Sequence, residues 1–258
     1  FARPPPRMTT SIQGASPMGT KNSVALAVQA TGLEKSFGNA AVLRGLDMTV
    51  RDGEAVVIFG ANGVGKSTLL RVLTTLTRPD YGSISISGRD LSKQAEYARL
   101  SLGAVLHSPM LYGDMTIREN LNFFGKMFRV RDLPGRIEEM TDRLGLGPRM
   151  EQRTRELSHG YQKRAALARA MLHRPRILFL DEAETGLDEP ARKVLDGVIS
   201  EHRAAGHAVV MTTHSIERGI AESDRVFVLA GGRIALDAPS SHVTPNDVTG
   251  LYSDPSDA

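Results

Sequence analysis

No cysteine occurs among the 258 residues, which removes disulfides, thiolate metal sites, thiol nucleophiles and redox pairs from consideration. A charge surplus of one sign is also lacking: 32 Lys plus Arg against 29 Asp plus Glu leave +3. That is far below the basic excess of a dedicated nucleic-acid binder, so no nucleic-acid partner is expected. Long apolar runs are missing as well. The longest, such as 55–59 and 177–180, fall far short of the ~20 residues that span a bilayer. Any membrane role is therefore expected to come through a partner. What remains is ordinary for a folded protein: 41% apolar and 24% charged residues, in a chain long enough to bury a sizeable core without covalent staples.

Residues 1–30 contain Pro4, Pro5 and Pro6 in a row, three cations and no acid, and are read as a disordered tail. A transit peptide is the alternative, but prolines adjoin Arg3 and Arg7 and no amphipathic helical face is visible. From Leu33 onward short apolar runs alternate with helical patterns, the mark of α/β structure with a largely parallel sheet. Residues 55–59 form an unbroken β-prone run, as expected of a buried central strand. Glycines and then Leu69, Leu70, Val72, Leu73 and Leu76 at helical spacing follow it. Ile84 and Ile86 alternate with serines, predicting a half-buried strand near an antiparallel edge. Helical patterns fill much of 91–172, strands are predicted at 176–180 and 207–212 with a helix over 190–204 between them, and Gly231-Gly232 separates a final hairpin. The expected organisation is one α/β domain over 31–239, with a helical insert at about 91–172, and a polar C-terminal tail over 240–258.

Gly60-Ala61-Asn62-Gly63-Val64-Gly65-Lys66-Ser67 places two glycines around four residues and ahead of Lys-Ser, with Thr68 next in line. Glycines let successive N–H groups curl around phosphates, and the following helix presents its positive end to the same charge. Lys66 adds a mobile cation, and the Ser67 hydroxyl can complete the shell of a Mg²⁺. A nucleotide site also needs an acid at the end of another buried strand. Asp181 can hold Mg²⁺ through water there, and Glu182 can polarise an attacking water. This pair predicts NTP hydrolysis or transfer without choosing a family.

Leu157-Ser158-His159-Gly160-Tyr161-Gln162-Lys163-Arg164 makes that choice. Here the sequence resembles the ATP-binding cassette family, whose signature is Leu-Ser-Gly-Gly-Gln at this place, and the resemblance covers about 33–237. Ser158 and Gly160 would start a helix whose free N–H groups favour an anion. The resemblance implies a phosphate-loop NTPase core with a mainly parallel sheet, an antiparallel β edge and a helical signature subdomain. It also implies ATP hydrolysis with Mg²⁺. The γ-phosphate would be bound by Ser158 and Gly160 of a second subunit, in a homodimer that drives a membrane permease from the cytoplasmic face. By the same resemblance Phe37 would stack on adenine, Asp188 would face the partner's phosphate loop, and His214 would contact the γ-phosphate as a catalytic residue beside Glu182 and Lys66.

The sequence departs from the family pattern at several positions. His107 stands where Gln is usual, so the metal ligand expected there is an imidazole, which serves only when neutral. His159 replaces a Gly, Tyr161 a Gln, and Ala183 a Pro, none of them a reacting group. The Leu111-Tyr112-Gly113-Asp114 run, His107 and the signature are similar to those of the haem-export ATPase of cytochrome c maturation, which implies haem-handling partners. Multidrug or polysaccharide exporter ATPases are the alternative, and a soluble cassette switch on ribosomes or DNA a more distant one.

Overall fold

The computed structural model describes residues 25–252. Most of the tail expected over 1–30 lies outside these residues, but its last part does not: 26–30 already pair within the first strand. In chain order the elements are β1 (Leu26–Phe37), β2 (Ala40–Arg51), β3 (Ala55–Phe59), α1 (Lys66–Leu73), β4 (Tyr81–Ile86), β5 (Arg89–Asp90), α2 (Leu91–Arg99) and β6 (Leu102–Val105). There follow α3 (Ile117–Met127), α4 (Leu133–Arg143), α5 (His159–Met171), β7 (Ile177–Asp181), α6 (Glu189–Ala204), β8 (Ala208–Thr212), α7 (Ile216–Glu222), β9 (Arg225–Ala230), β10 (Arg233–Pro239) and α8 (Pro245–Gly250).

The strands form two sheets, an antiparallel one in the order β2-β1-β4-β5 and a six-stranded one in the order β10-β9-β3-β8-β7-β6. In the larger sheet β9, β3, β8, β7 and β6 run parallel, and only β10 is antiparallel. All five residues of β3, β7 and β8 are buried. Alternate side chains explain why these runs are continuously apolar. Val57, Phe59, Leu178 and Leu180 join the core on one face, and Val56, Ile58, Ile177 and Phe179 join the core on the other.

The helical unit is tied together by polar contacts. Thr116 and Glu119 form a capping box at the start of α3. Fully buried Asn120 accepts from Tyr112 N at 2.8 Å and donates to the Thr116 carbonyl at 2.9 Å, anchoring the segment before the helix.

Two expectations need correction. The insert over 91–172 is not wholly helical, because β6 lies inside it and pairs with β7. Only four residues long, it carries Gly103, whose added Cβ would stand 2.6 Å from the Ala170 carbonyl. Close approach of α5 thus selects a residue that weakens the strand pattern. The stretch from 240 is likewise not a tail as far as it is described: Thr244 and Asp247 cap α8, and Val243 and Val248 are buried in the core. Its apolar residues are too sparse to show a period.

Candidate active site

β3 ends at Phe59 and α1 begins at Lys66, so residues 60–65 form the entire connection. Gly65 precedes the helix at φ 114, without a side-chain cap, and the first turn holds no acid. Its N–H groups are left to an external acceptor, an arrangement that suits an anion. Packing fixes the glycines. A Cβ on Gly65 would meet Val42 Cγ1 at 2.8 Å, and one on Gly60 would meet the Leu229 carbonyl at 2.6 Å. Lys66 is buried and its Nζ donates to the carbonyls of Gly60 at 2.7 Å and Ala61 at 3.0 Å. Burial lowers its pKa, opposed by the nearby carboxylates of Glu182 and Asp181. Asn62, Gly63 and Ser67 are exposed, and Ala61, Val64 and Thr68 half-buried. Uncapped N–H groups around a buried ammonium fit a polyphosphate.

Strand register supplies the other half. Ile58 lies beside Thr212, Thr212 beside Asp181, and Leu180 beside Val105, so the carboxyl ends of four parallel strands face one crevice, where α/β sheets bind ligands. Asp181 is buried, and its Oδ1 accepts from Thr212 Oγ1 at 2.7 Å. The same hydroxyl oxygen accepts from Glu182 N at 3.1 Å. Glu182 turns the chain at φ 50 and brings its Oε1 to 2.8 Å from His214 Nε2. Among the described residues no group of three or more metal-ligating side chains could hold an ion by itself. A hydroxyl on Ser67 and a carboxylate on Asp181 do suit Mg²⁺ that takes its other ligands from phosphate and water.

The remaining residues named from the sequence are distributed unequally. Phe37 is no core residue: it is 53% exposed at the β1–β2 turn, with Lys35 Nζ 5.4 Å from its ring centre. Contact of β2 with Gly65 through Val42 places that hairpin beside the phosphate loop. His107 is exposed just past β6, level with Glu182 by strand register. Among the described residues no hydrogen bond joins it to Ser67, Asp181 or Glu182. Ser158 caps α5, its Oγ accepting from Tyr161 N at 3.5 Å, while a Cβ on Gly160 would meet open space. Asp188 caps α6 by accepting from Ala191 N at 3.0 Å. The structure therefore gathers Lys66, Asp181, Glu182 and His214, whereas no described hydrogen bond links Ser158, Gly160 or Asp188 to residues 60–68.

Three supporting residues escaped the sequence reading. Thr212, a polar end to an apolar strand, was the most visible. Lys163 of α5 donates to the Glu182 carbonyl at 2.9 Å and also to the Thr185 carbonyl, tying the signature helix to the loop after β7. Tyr252, beyond α8, accepts from Gly60 N at 3.2 Å. At the Tyr161 departure, the Arg164 guanidinium lies over the ring, 4.1 Å from its centre. Away from the crevice, exposed Tyr112, Phe123 and Met127 form an apolar patch. It borders a cavity of about 400 Å³ lined by Leu76, Met110, Phe124, Met127 and Phe128.

The family profile described as ABC transporter matches residues 43–185, a span that includes the phosphate loop, Ser158 and the Asp181-Glu182 pair. Nod factor export ATP-binding protein I of Rhizobium sp. (strain N33) is 37% identical over 210 residues, covering 81% of this chain and 69% of that protein. Daunorubicin resistance ATP-binding protein DrrA3 of Streptomyces coeruleorubidus is 35% identical over 210 residues, covering 81% of this chain and 66% of that protein. Among solved structures, an ATP binding subunit of an ABC transporter superposes with a TM-score of 0.78 at 25% identity, covering 90% of this chain and 96% of that one. A second, cbiO1 from Clostridium perfringens, part of the ABC transporter complex cbiONQ, superposes at 0.72 with 25% identity over 87% of this chain and 93% of that one. Since the profile spans more than half of the chain and includes both halves of the crevice, the chain belongs to the ABC transporter family, as one of its ATPases.

Proposed function

We propose that two copies of this chain close head to tail on two ATP molecules and drive a membrane permease that exports a drug- or polysaccharide-type cargo. One observation carries the reading. Phosphate-binding and hydrolytic groups share a crevice, but Ser158 caps an exposed helix end with no bond to that crevice among the described residues, so a second copy can supply the anion-binding terminus the first lacks.

In this scheme residues 60–68 hold the phosphates, Phe37 stacks on the base, and Lys66 balances charge on the β- and γ-phosphates. Ser67 and Asp181 hold Mg²⁺, which when bound neutralises developing phosphate charge; His107 is a further candidate ligand. Glu182 takes a proton from the attacking water, with His214 beside its carboxylate. Asp188 faces the partner copy's loop. Among the described residues no helix is long and apolar enough to cross a membrane, and the patch of Tyr112, Phe123 and Met127 suits a permease's cytoplasmic segment, leaving the chain peripheral to the membrane.

The cargo class rests on the relatives' names, Nod factor export and daunorubicin resistance. The finer reading, haem export with cytochrome c maturation partners, rests only on His107, residues 111–114 and the signature, and gains no support from those names. Glu182→Gln protein, purified from solubilised native membranes with ATP and Mg²⁺, should bring down a multi-span membrane protein. Recovery of soluble nucleic-acid assemblies alone would overturn the export reading.

A further inference from the structure

We infer that Tyr252 is a positioning residue of the phosphate loop, through which the C-terminal segment after β10 sets affinity for ATP. The inference deepens the ATP-site reading above and rests on it. Gly60 opens the loop and its peptide groups are held from two sides. Its carbonyl accepts from Lys66 Nζ at 2.7 Å, and its N–H donates to the Tyr252 hydroxyl at 3.2 Å, from a residue 192 positions away. The loop has little slack at this point, because the Leu229 carbonyl closes on Gly60 so tightly that even a methyl group would stand 2.6 Å from it. Gly60 is buried, so without the phenol its N–H would lose its partner in a place poorly served by water.

Tyr252 does not reach this position by chance of an extended tail. The Thr244–Asp247 box starts α8, Val248 is fully buried, and Leu251 and Tyr252 pack against the core face that includes Phe59 and Val228. Burial raises the phenol pKa, while the bond from Gly60 opposes the shift, so the hydroxyl stays neutral and keeps its lone pairs for the amide near pH 7. The segment thus fixes the residue at which β3 leaves the sheet and the loop begins. Loss of that anchor lets the loop leave its phosphate-ready shape, and apparent affinity falls in proportion to the competent fraction.

The test compares Tyr252→Phe and Tyr252→Ala with the unaltered chain, measuring the Kd for Mg-ATP by calorimetry and the exchange protection of the ¹⁵N-labelled Gly60 amide. Tyr252→Phe keeps the ring and removes only the acceptor; it should raise Kd about three- to tenfold and lower Gly60 protection to a similar degree, the size expected for one lost hydrogen bond. A Phe variant with unaltered Kd and unaltered Gly60 exchange would overturn the inference, as would a loss confined to Tyr252→Ala, which would reduce Tyr252 to ring packing. An unprotected Gly60 amide in the unaltered chain would also overturn it, whatever the variants do. Failure of the unaltered chain to bind Mg-ATP at all would sink the nucleotide reading instead, so the two failures are distinguishable.

Discussion

Glu182 adopts a left-handed backbone conformation at φ 50, which costs a residue with a Cβ about 1–2 kcal/mol. Thr212 and Lys163 hold the turn by taking its N–H and carbonyl, and the result is a carboxylate aimed away from the strand and toward His214. Replacing Glu182 by Gln keeps the shape and removes the proposed base. Turnover of ATP should fall about 10²–10⁴-fold with Mg-ATP affinity within threefold of the original, as read by steady-state hydrolysis and calorimetry; retained turnover would remove Glu182 from the chemistry. Gly65 carries a different burden, since φ 114 and a Val42 methyl at 2.8 Å from an added Cβ both oppose a side chain. Gly65→Ala should cost about 1–3 kcal/mol of stability, lowering Tm by roughly 2–12 °C, and weaken Mg-ATP binding at least tenfold; an unchanged melting curve would contradict the packing argument. These residues were legible because their types are forced by chemistry at fixed spacing. Thr212, Lys163 and Tyr252 were not, because each acts through hydrogen bonds to groups distant in sequence.

At the scale of elements, strands buried on both faces announce themselves as continuous apolar runs, which is why β3, β7 and β8 were readable to within a residue or two. Short β6 and α8 were not, since one carries a packing glycine and the other shows too few apolar residues for a period. Helix α6 holds a feature that only the folded chain reveals. His202 is buried near its C-terminal end, with no partner for Nε2 among the described residues, and the His207 ring centre lies 4.9 Å away. Burial, then the charges of His207 and Arg143, lower its pKa to about 4 from 6.5. The neutral ring is thus favoured in the fold. Above pH 6.5 both folded and unfolded states are neutral and nothing is lost. As pH falls from 6.5 toward 4 only the unfolded state gains the proton, so stability declines over that window and levels off below it. Between pH 7 and pH 5 the loss from His202 should be about 2 kcal/mol. Urea unfolding of His202→Leu should show a pH dependence shallower by that amount, and identical slopes for the two proteins would contradict it.

For the molecule as a whole, a net charge of only +3 and an exposed apolar patch are consistent with the proposal that the chain works against a membrane partner. The cargo is poorly encoded because cassette chemistry is shared while specificity lies elsewhere. Order around the crevice was foreseeable from motif spacing, and the family resemblance already implied that Ser158 serves a second subunit; the fold adds that, among the described residues, no hydrogen bond joins Ser158 to residues 60–68. The central claim is that each nucleotide is shared between two copies, and it has a direct test in mixing. Lys66→Ala removes one half-site and Ser158→Arg the other, so each protein alone should be inactive. In an equal mixture half of the dimers are mixed, and each of those keeps one intact site of two, so ATPase activity should return to about a quarter of the original level. A mixture as inactive as its components, or a Ser158→Arg protein with full activity alone, would contradict the shared site.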